Sequence, residues 1–259
     1  MSPSAHEHVA ALRASHDHLA SLVAGMDEAA LTAPSYDTEW SIGQVLSHLG
    51  SQSEIFELFL DAVLAGEPVP GGEVFPPIWD VWNEKSPLQW RDDWLAASET
   101  HVARFESIDD AAAEAFRLPF FGTDLDLVGF VRMRLSEQAI HTWDIEVMGD
   151  PSAVVAADAV ALVIDHVDRV VERTATGGGG PYRVRVGTHD PVRDLVVAVG
   201  DPVTVAAAEP DDVYDGSVDL PGEAWLRLVY GRLDVDHTPE HSESGSRGLV
   251  DLRGVFPGV

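Results

Sequence analysis

The chain contains no cysteine, and Lys85 is its only lysine. Without cysteine it can form no disulfide, no protein thiolate nucleophile and no cysteine-ligated zinc site, so thiol chemistry would need sulfur from a small molecule. Nearly all positive charge is therefore arginine, and the formal net charge is −28 at pH 7. Because such an acidic chain repels nucleic-acid phosphate and anionic lipid, we expect neither nucleic acid nor a membrane as a partner.

The sequence also lacks any apolar run long enough to span a membrane. Its residues 1–8 lack the basic segment and apolar core of a signal peptide. The 259 residues are 45% hydrophobic and 23% charged, which is typical of a globular protein with one large domain or two ordinary ones. These features together predict a cytoplasmic protein.

One stretch, from Arg134 to Asp144, has neither glycine nor proline and repeats its apolar residues at helical spacing. This pattern predicts a helix on which Glu137 and His141, four residues apart, lie on one face one turn from each other. Their carboxylate and imidazole could bind the same divalent metal. A buried ion pair, or a Glu–His pair on the helix surface, is the alternative explanation of this spacing.

A third metal ligand could come from the segment 39–49, which also predicts a helix, with Ser41 as N-cap and Gln44 completing a capping box. Its His48 lies beside the apolar side of that helix and should face the interior or a cleft. Two histidines and one glutamate would leave a fourth coordination position open, which is typical of catalytic rather than structural zinc. An isolated core histidine is the alternative for His48.

Four helical segments are predicted before residue 150, with Pro87 at the first position of the third. Helices of this length predict a four-helix bundle, in which metal sites are built from facing helices. The proline- and glycine-rich segment 66–86 predicts a long loop. Tryptophans in or just after this loop could wall a ligand pocket or fill the core: Trp79, Trp82, Trp90 and Trp94. The helical segments are 6–27, 41–64, 87–116 and 123–149.

The pattern changes after residue 150. An apolar helix is predicted over 152–173, followed by β-branched and alternating segments that predict strands. A short helix over 224–230 and a polar tail over 234–248, which is expected to be a loop or partly disordered, complete the prediction. Helices followed by strands predict an α+β protein, with a bundle over 1–150 and a smaller domain with a mostly antiparallel sheet over 151–259. The predicted strands are 182–186, 195–199, 203–206 and 216–220.

Three motifs in this order resemble a known family over nearly the whole chain. The segment 39–49 resembles the Trp-x-x-x-x-x-x-x-His signature of the DinB-like metalloenzyme superfamily, and Glu137-x-x-x-His141-x-x-Asp144 resembles its second metal motif. The segment 220–232 resembles the C-terminal domain of the mycothiol-dependent maleylpyruvate isomerase family, which has a sterol-carrier-protein-like topology. The resemblance implies a DinB-like bundle followed by such a domain.

The resemblance also implies roles for individual residues. His48, Glu137 and His141 match the three protein ligands of a divalent metal, usually zinc. Asp144 matches a recurring acidic position and could orient the His141 imidazole; a surface charge role is the alternative. Arg232 matches an arginine placed near the active site, where a guanidinium could hold a substrate carboxylate by two hydrogen bonds.

For function, the resemblance implies a metal-dependent isomerase or S-transferase that uses a low-molecular-weight thiol, mycothiol, on a small acidic or electrophilic substrate. Zinc with an open position would lower the pKa of that thiol below its free value of about 8.5. Two alternatives stay open: a metal–water hydrolase on the same bundle, and a non-catalytic module that binds an apolar or lipid-like ligand against Trp79, Trp82 and Phe121. We expect a monomer or weak homo-oligomer.

Overall fold

The computed structural model describes residues 3–37, 39–211 and 213–258. The chain divides into two compact units, Met1–Asp150 and Pro151–Val259. The first is helical apart from one hairpin, and the second combines a sheet with short helices, so the predicted α+β class is confirmed. None of the helices in the described residues is long and apolar enough to cross a membrane.

The first unit is built on four long helices, with α3 packed mainly against α5 and α1 against α7. Three short helices, a 3-10 turn at Gly72–Val74 and a two-stranded antiparallel hairpin connect them in the described residues. The bounds are α1 Ala5–Val23, α2 Glu28–Thr32, α3 Ile42–Ala65, α4 Phe75–Asn83, α5 Pro87–Glu106, α6 Asp110–Ala115, β1 Leu118–Phe120, β2 Thr123–Leu125 and α7 Leu127–Glu146.

Helix α3 begins and ends with strong local signals. The Ser41 hydroxyl accepts the Gln44 N–H at 3.2 Å, and the Gln44 side chain accepts the Ser41 N–H at 2.9 Å, so the predicted capping box is confirmed. The helix ends at Gly66, whose φ of +68° is left-handed and carries no steric cost in glycine. The helix therefore runs unbroken past His48.

The predicted loop over 66–86 is wrong for much of its length, because α4 lies inside it. Pro76 and Pro77 stand in the first turn of α4, where a missing N–H removes no intrahelical hydrogen bond. Two of the nearby tryptophans, Trp82 and Trp94, are 1% and 0% exposed and fill the core, whereas Trp79 is 45% exposed. Pro76 and Pro77 thus begin a helix, whereas the sequence pattern predicts that they prevent one.

Two further helix boundaries differ from the prediction. The segment 87–116 is not one helix, because α5 ends at Glu106 and Asp109 caps the separate α6 by accepting the Ala112 N–H. The predicted start of the fourth helix at 123–124 is also wrong, since these residues form β2. Asp126 is the N-cap instead, and its carboxylate accepts the Gly129 N–H at 2.7 Å.

The second unit contains a five-stranded sheet in the order β5-β4-β3-β6-β7, in which β3 and β6 are parallel and the other pairs antiparallel. The four predicted strands and the short helix after them are confirmed. The bounds are α8 Ala157–Val163, α9 Asp168–Thr174, β3 Tyr182–His189, β4 Arg193–Val199, β5 Thr204–Ala207, β6 Gly216–Pro221, α10 Gly222–Val229, β7 Ser242–Gly245 and α11 Leu249–Val255.

The prediction of one helix over 152–173 is wrong, because α8 and α9 are separate. In the interruption, the Asp165 carboxylate accepts two hydrogen bonds from Arg193, at 2.6 and 2.7 Å, which hold the turn. The tail over 234–248 is not a loop throughout, since β7 pairs with β6 there. Both differences depend on partners distant in sequence, which local patterns do not report.

Candidate metal centre

The structure brings together the three residues predicted to bind metal. His48 projects from α3, while Glu137 and His141 project from one face of α7. One ligand atom of each lies within 4.8 Å of the others. The His48 Nε2 is 3.1 Å from the Glu137 Oε2, and the His141 Nε2 is 3.9 Å from the same oxygen. Two imidazole nitrogens and one carboxylate oxygen thus converge.

This donor set fits a divalent transition metal, zinc in particular. The distance from His48 to Glu137 would also suit a hydrogen bond between them. The His141 Nε2 is too far from the same oxygen, at 3.9 Å, to form a second hydrogen bond with it. One metal ion between them could bind all three groups at once. The arrangement therefore suits a shared cation better than a simple ion pair.

The hydrogen bond between His141 and Asp144 also suits a metal ligand. The His141 Nδ1 lies 2.9 Å from the Oδ2 of Asp144, and Asp144 is 0% exposed. A carboxylate accepts hydrogen bonds, so this contact places the imidazole proton on Nδ1 and leaves the lone pair on Nε2. The contact matches the orienting role predicted for Asp144 rather than a surface charge role.

The pKa shifts of Glu137 and His48 favour the charge states in which these side chains bind metal. Burial alone raises the pKa of Glu137, but hydrogen bonds from His48 and Gln52 and the charges of both histidines outweigh it and lower this pKa to about 2. Burial lowers the pKa of His48, in spite of the opposing hydrogen bond to Glu137. An ionised carboxylate and a neutral imidazole are the forms that bind metal.

The indole of Trp40 covers the two imidazoles. Its ring centroid lies 5.0 Å from that of His48 and 5.9 Å from that of His141. Trp40 is only partly buried, so it forms an apolar wall at the edge of the centre. Because the indole packs against both rings at tilted angles of 40° and 31°, it limits their rotation.

A second group of possible ligands in the described residues consists of His16, Asp17 and Glu99. The guanidinium of Arg13 already binds both carboxylates, at 2.5 Å from Glu99 and 3.5 Å from Asp17. A cation is thus supplied by the chain itself, and a metal ion would have to displace it. His48, Glu137 and His141 are therefore the better candidate.

Sequence reasoning gave no role to Gln52 or Arg134, although both contact this region. Gln52 lies one helical turn after His48, and its side chain helps to lower the pKa of Glu137. Arg134 is 1% exposed and donates to the Gln52 Oε1 at 2.5 Å. The four-residue spacing of His48 and Gln52 was a usable signal for a shared face. That spacing does not predict the contacts that Gln52 makes with residues of α7.

The remaining predicted residues are not members of the convergent group. Arg232 belongs to the second unit, where it is 7% exposed and donates from Nη1 to the Tyr230 carbonyl at 2.9 Å. Its substrate-binding role stays a prediction. Of the residues predicted to hold an apolar ligand, Phe121 is 72% exposed at the tip of the hairpin, whereas Trp82 is packed in the core. Trp82 therefore presents almost no surface to a ligand.

Fold and site together define an α+β protein whose helical unit carries a candidate metal centre. The sequence profile of the mycothiol maleylpyruvate isomerase N-terminal domain matches residues 12–146, just over half of the chain, including all three candidate ligands. The chain belongs to this family. A search of curated proteins returns no significant match.

Two solved structures are similar over almost their whole length. A crystal structure of the mycothiol-dependent maleylpyruvate isomerase aligns with a TM-score of 0.67 at 14% identity, over 95% of this chain and 95% of that one. A structure of the same enzyme with one histidine replaced by alanine aligns with a TM-score of 0.66 at 13% identity, over 93% of each chain. At this identity, the comparison establishes a shared fold.

Proposed function

We propose that the chain is a metal-dependent enzyme that uses a low-molecular-weight thiol, mycothiol, to isomerise a small acidic substrate or to transfer the thiol onto a small electrophile. The convergence of His48, Glu137 and His141 on facing helices carries this proposal. Membership of a family named for a mycothiol enzyme supports the choice of thiol.

In this proposal, the two Nε2 atoms and the Glu137 carboxylate hold the metal, and Asp144 keeps the His141 proton on Nδ1. Three protein ligands leave one coordination position open. If these residues hold a divalent metal, the pKa of a thiol bound beside it would be lowered, and the sulfur would be nucleophilic at neutral pH. Trp40 limits the access of water from one side.

The thiol has to come from solution, because the chain has no cysteine. In an isomerisation, the thiol adds across a conjugated double bond, the resulting single bond rotates, and elimination returns both the thiol and the alkene. No oxidant or reductant is consumed. Arg232 is proposed to bind a carboxylate of the substrate by paired hydrogen bonds, on the basis of the Gly231-Arg232 resemblance.

The experiment is an activity screen of zinc-loaded protein with maleylpyruvate and simple electrophiles, each with and without mycothiol. Turnover that needs both the thiol and the metal is the expected result. Turnover without thiol would replace the proposal with a metal–water hydrolase. No turnover with any substrate in metal-loaded protein would favour a non-catalytic binding module.

His48→Ala is the variant that links activity to the centre, because it removes one ligand from a partly exposed position. The matched control is His18→Ala, which removes an imidazole of the same unit that pairs with Glu146 at 2.9 Å. We expect activity to be lost in the first and kept in the second. Equal activity in the two variants would remove His48 from the mechanism.

A further inference from the structure

We propose that Arg134 and Gln52 act as positioning residues that hold the Glu137 carboxylate ready for the metal. The inference rests on the proposed function in one respect, namely that Glu137 is a metal ligand. Arg134 is hydrogen-bonded to Gln52, which lies one turn after His48 on α3, and we infer that the Gln52 amide extends this contact to the Glu137 carboxylate, whose pKa it helps to lower.

Arg134 is deeply buried, and both of its Nη atoms donate hydrogen bonds. Its Nη1 donates to the Gln52 Oε1 at 2.5 Å. Its Nη2 lies within hydrogen-bonding distance of the Leu49 carbonyl at 3.2 Å, the Ser53 hydroxyl at 3.1 Å and the Gln138 Oε1 at 3.0 Å. Every one of these acceptors is neutral. Arg134 is thus fixed by α3 and α7 together.

The guanidinium decides which way the Gln52 amide faces. Arginine only donates hydrogen bonds, so the Gln52 oxygen has to point toward Arg134. The amide NH2 group is then left to face Glu137, in keeping with the interaction by which the Gln52 side chain lowers the pKa of that carboxylate. A reversed amide would present its oxygen to a carboxylate, which is repulsive. Arg134 therefore fixes the donor that restrains Glu137.

Gln52 also keeps Arg134 and Glu137 apart. These two residues lie three positions apart on α7, a spacing at which opposite charges pair directly. A direct ion pair would engage the carboxylate and compete with a metal. With Gln52 as a neutral link, Glu137 is restrained while its Oε2 stays near the two histidine nitrogens. The prediction is that loss of Gln52 weakens metal binding.

The test is the zinc affinity of Gln52→Leu, which has a similar volume but neither accepts from Arg134 nor donates to Glu137. Outer hydrogen-bond partners of metal ligands contribute about 10- to 100-fold in affinity, and we expect the zinc Kd to rise by that factor. Competition with a chromophoric chelator gives the Kd. The visible spectrum of the cobalt-loaded protein should also change, because the carboxylate is no longer held in one orientation.

The matched control is Ser53→Ala, which removes another partner of Arg134 and leaves Gln52 in place. Both substitutions can lower the melting temperature of the metal-free protein, but only Gln52→Leu should raise the zinc Kd. Arg134→Met combined with Gln52→Leu should weaken zinc binding no more than Gln52→Leu alone, since residues that act as one unit are not additive.

The outcomes separate this inference from the proposed function. Zinc affinity and a cobalt spectrum unchanged in Gln52→Leu would overturn the positioning role while leaving the metal centre intact. An equal loss of zinc affinity in Ser53→Ala would also overturn the positioning role, because the loss would then come from disturbed packing around Arg134 and not from Gln52. A wild-type chain that binds no zinc would overturn both the metal centre and this inference.

Discussion

The contact between Asp144 and His141 gives the sharpest prediction about the centre. Asp144→Asn changes one oxygen to an amide nitrogen without a change in size, in a side chain that is 0% exposed. The amide can accept from the His141 Nδ1 only weakly, and if it turns it donates to Nδ1 instead. That second state moves the imidazole proton to Nε2, where the metal should bind.

The expected magnitude follows from the geometry. The Nδ1–Oδ2 distance of 2.9 Å is that of a well-formed hydrogen bond, and the burial of Asp144 keeps water from replacing it. Loss of such a partner lowers metal affinity about 10- to 100-fold, or about 1.4 to 2.7 kcal/mol. We expect the upper part of this range.

The assay is zinc competition at fixed pH on wild type, Asp144→Asn and a control, Glu146→Gln. Glu146 lies on the same helix and pairs with His18 rather than with a candidate ligand. Zinc affinity should fall in Asp144→Asn and stay unchanged in the control. Equal zinc affinity in all three proteins would refute the orienting role of Asp144. An equal fall in both variants would mean that the loss of a negative charge on α7, and not the contact with His141, lowers the affinity.

Three other predictions concern packing, pH and substrate binding. Gly50→Ala should destabilise the protein by about 1 to 3 kcal/mol in thermal unfolding, because a Cβ there would overlap the buried ring of Trp82. The control is Gly25→Ala, where the added Cβ would meet open space. Equal destabilisation by the two substitutions would contradict the proposed overlap. Burial lowers the pKa of His101 below its usual 6.5, so the unfolded chain binds the proton more readily and stability falls as pH drops below 6.5. His101→Gln should reduce the slope of unfolding free energy against pH by no more than about 1.4 kcal/mol per pH unit, the value for one proton. An unchanged slope in urea unfolding would contradict this prediction. Arg232→Ala should raise KM for an acidic substrate and leave zinc affinity unchanged, whereas unchanged kinetics would remove Arg232 from substrate binding.

The helices that carry the centre were predictable because their signals are local. The capping box of Ser41 and Gln44 fixes the start of α3, and the unbroken apolar pattern from Arg134 to Asp144 marks α7. Helical spacing then places Glu137 and His141 on one face. The sequence contained enough to propose these ligands before any coordinates.

The surroundings of the centre were not predictable in the same way. Gln52 and Arg134 meet only because α3 and α7 pack in one particular register, and nothing in either helix alone reports that register. Similarly, Pro76 and Pro77 are compatible with either a loop or a first helical turn, and the packing of Trp82 against α3 favours the helix. Long-range packing decides these features.

The metal content of the purified protein tests the central claim most directly. Elemental mass spectrometry on chelator-free wild type, His48→Ala and His18→Ala would show whether the three convergent side chains hold an ion. The account predicts about one equivalent of a divalent metal, most simply zinc, in wild type and His18→Ala and almost none in His48→Ala. No metal in wild type, or full metal content in His48→Ala, would contradict it.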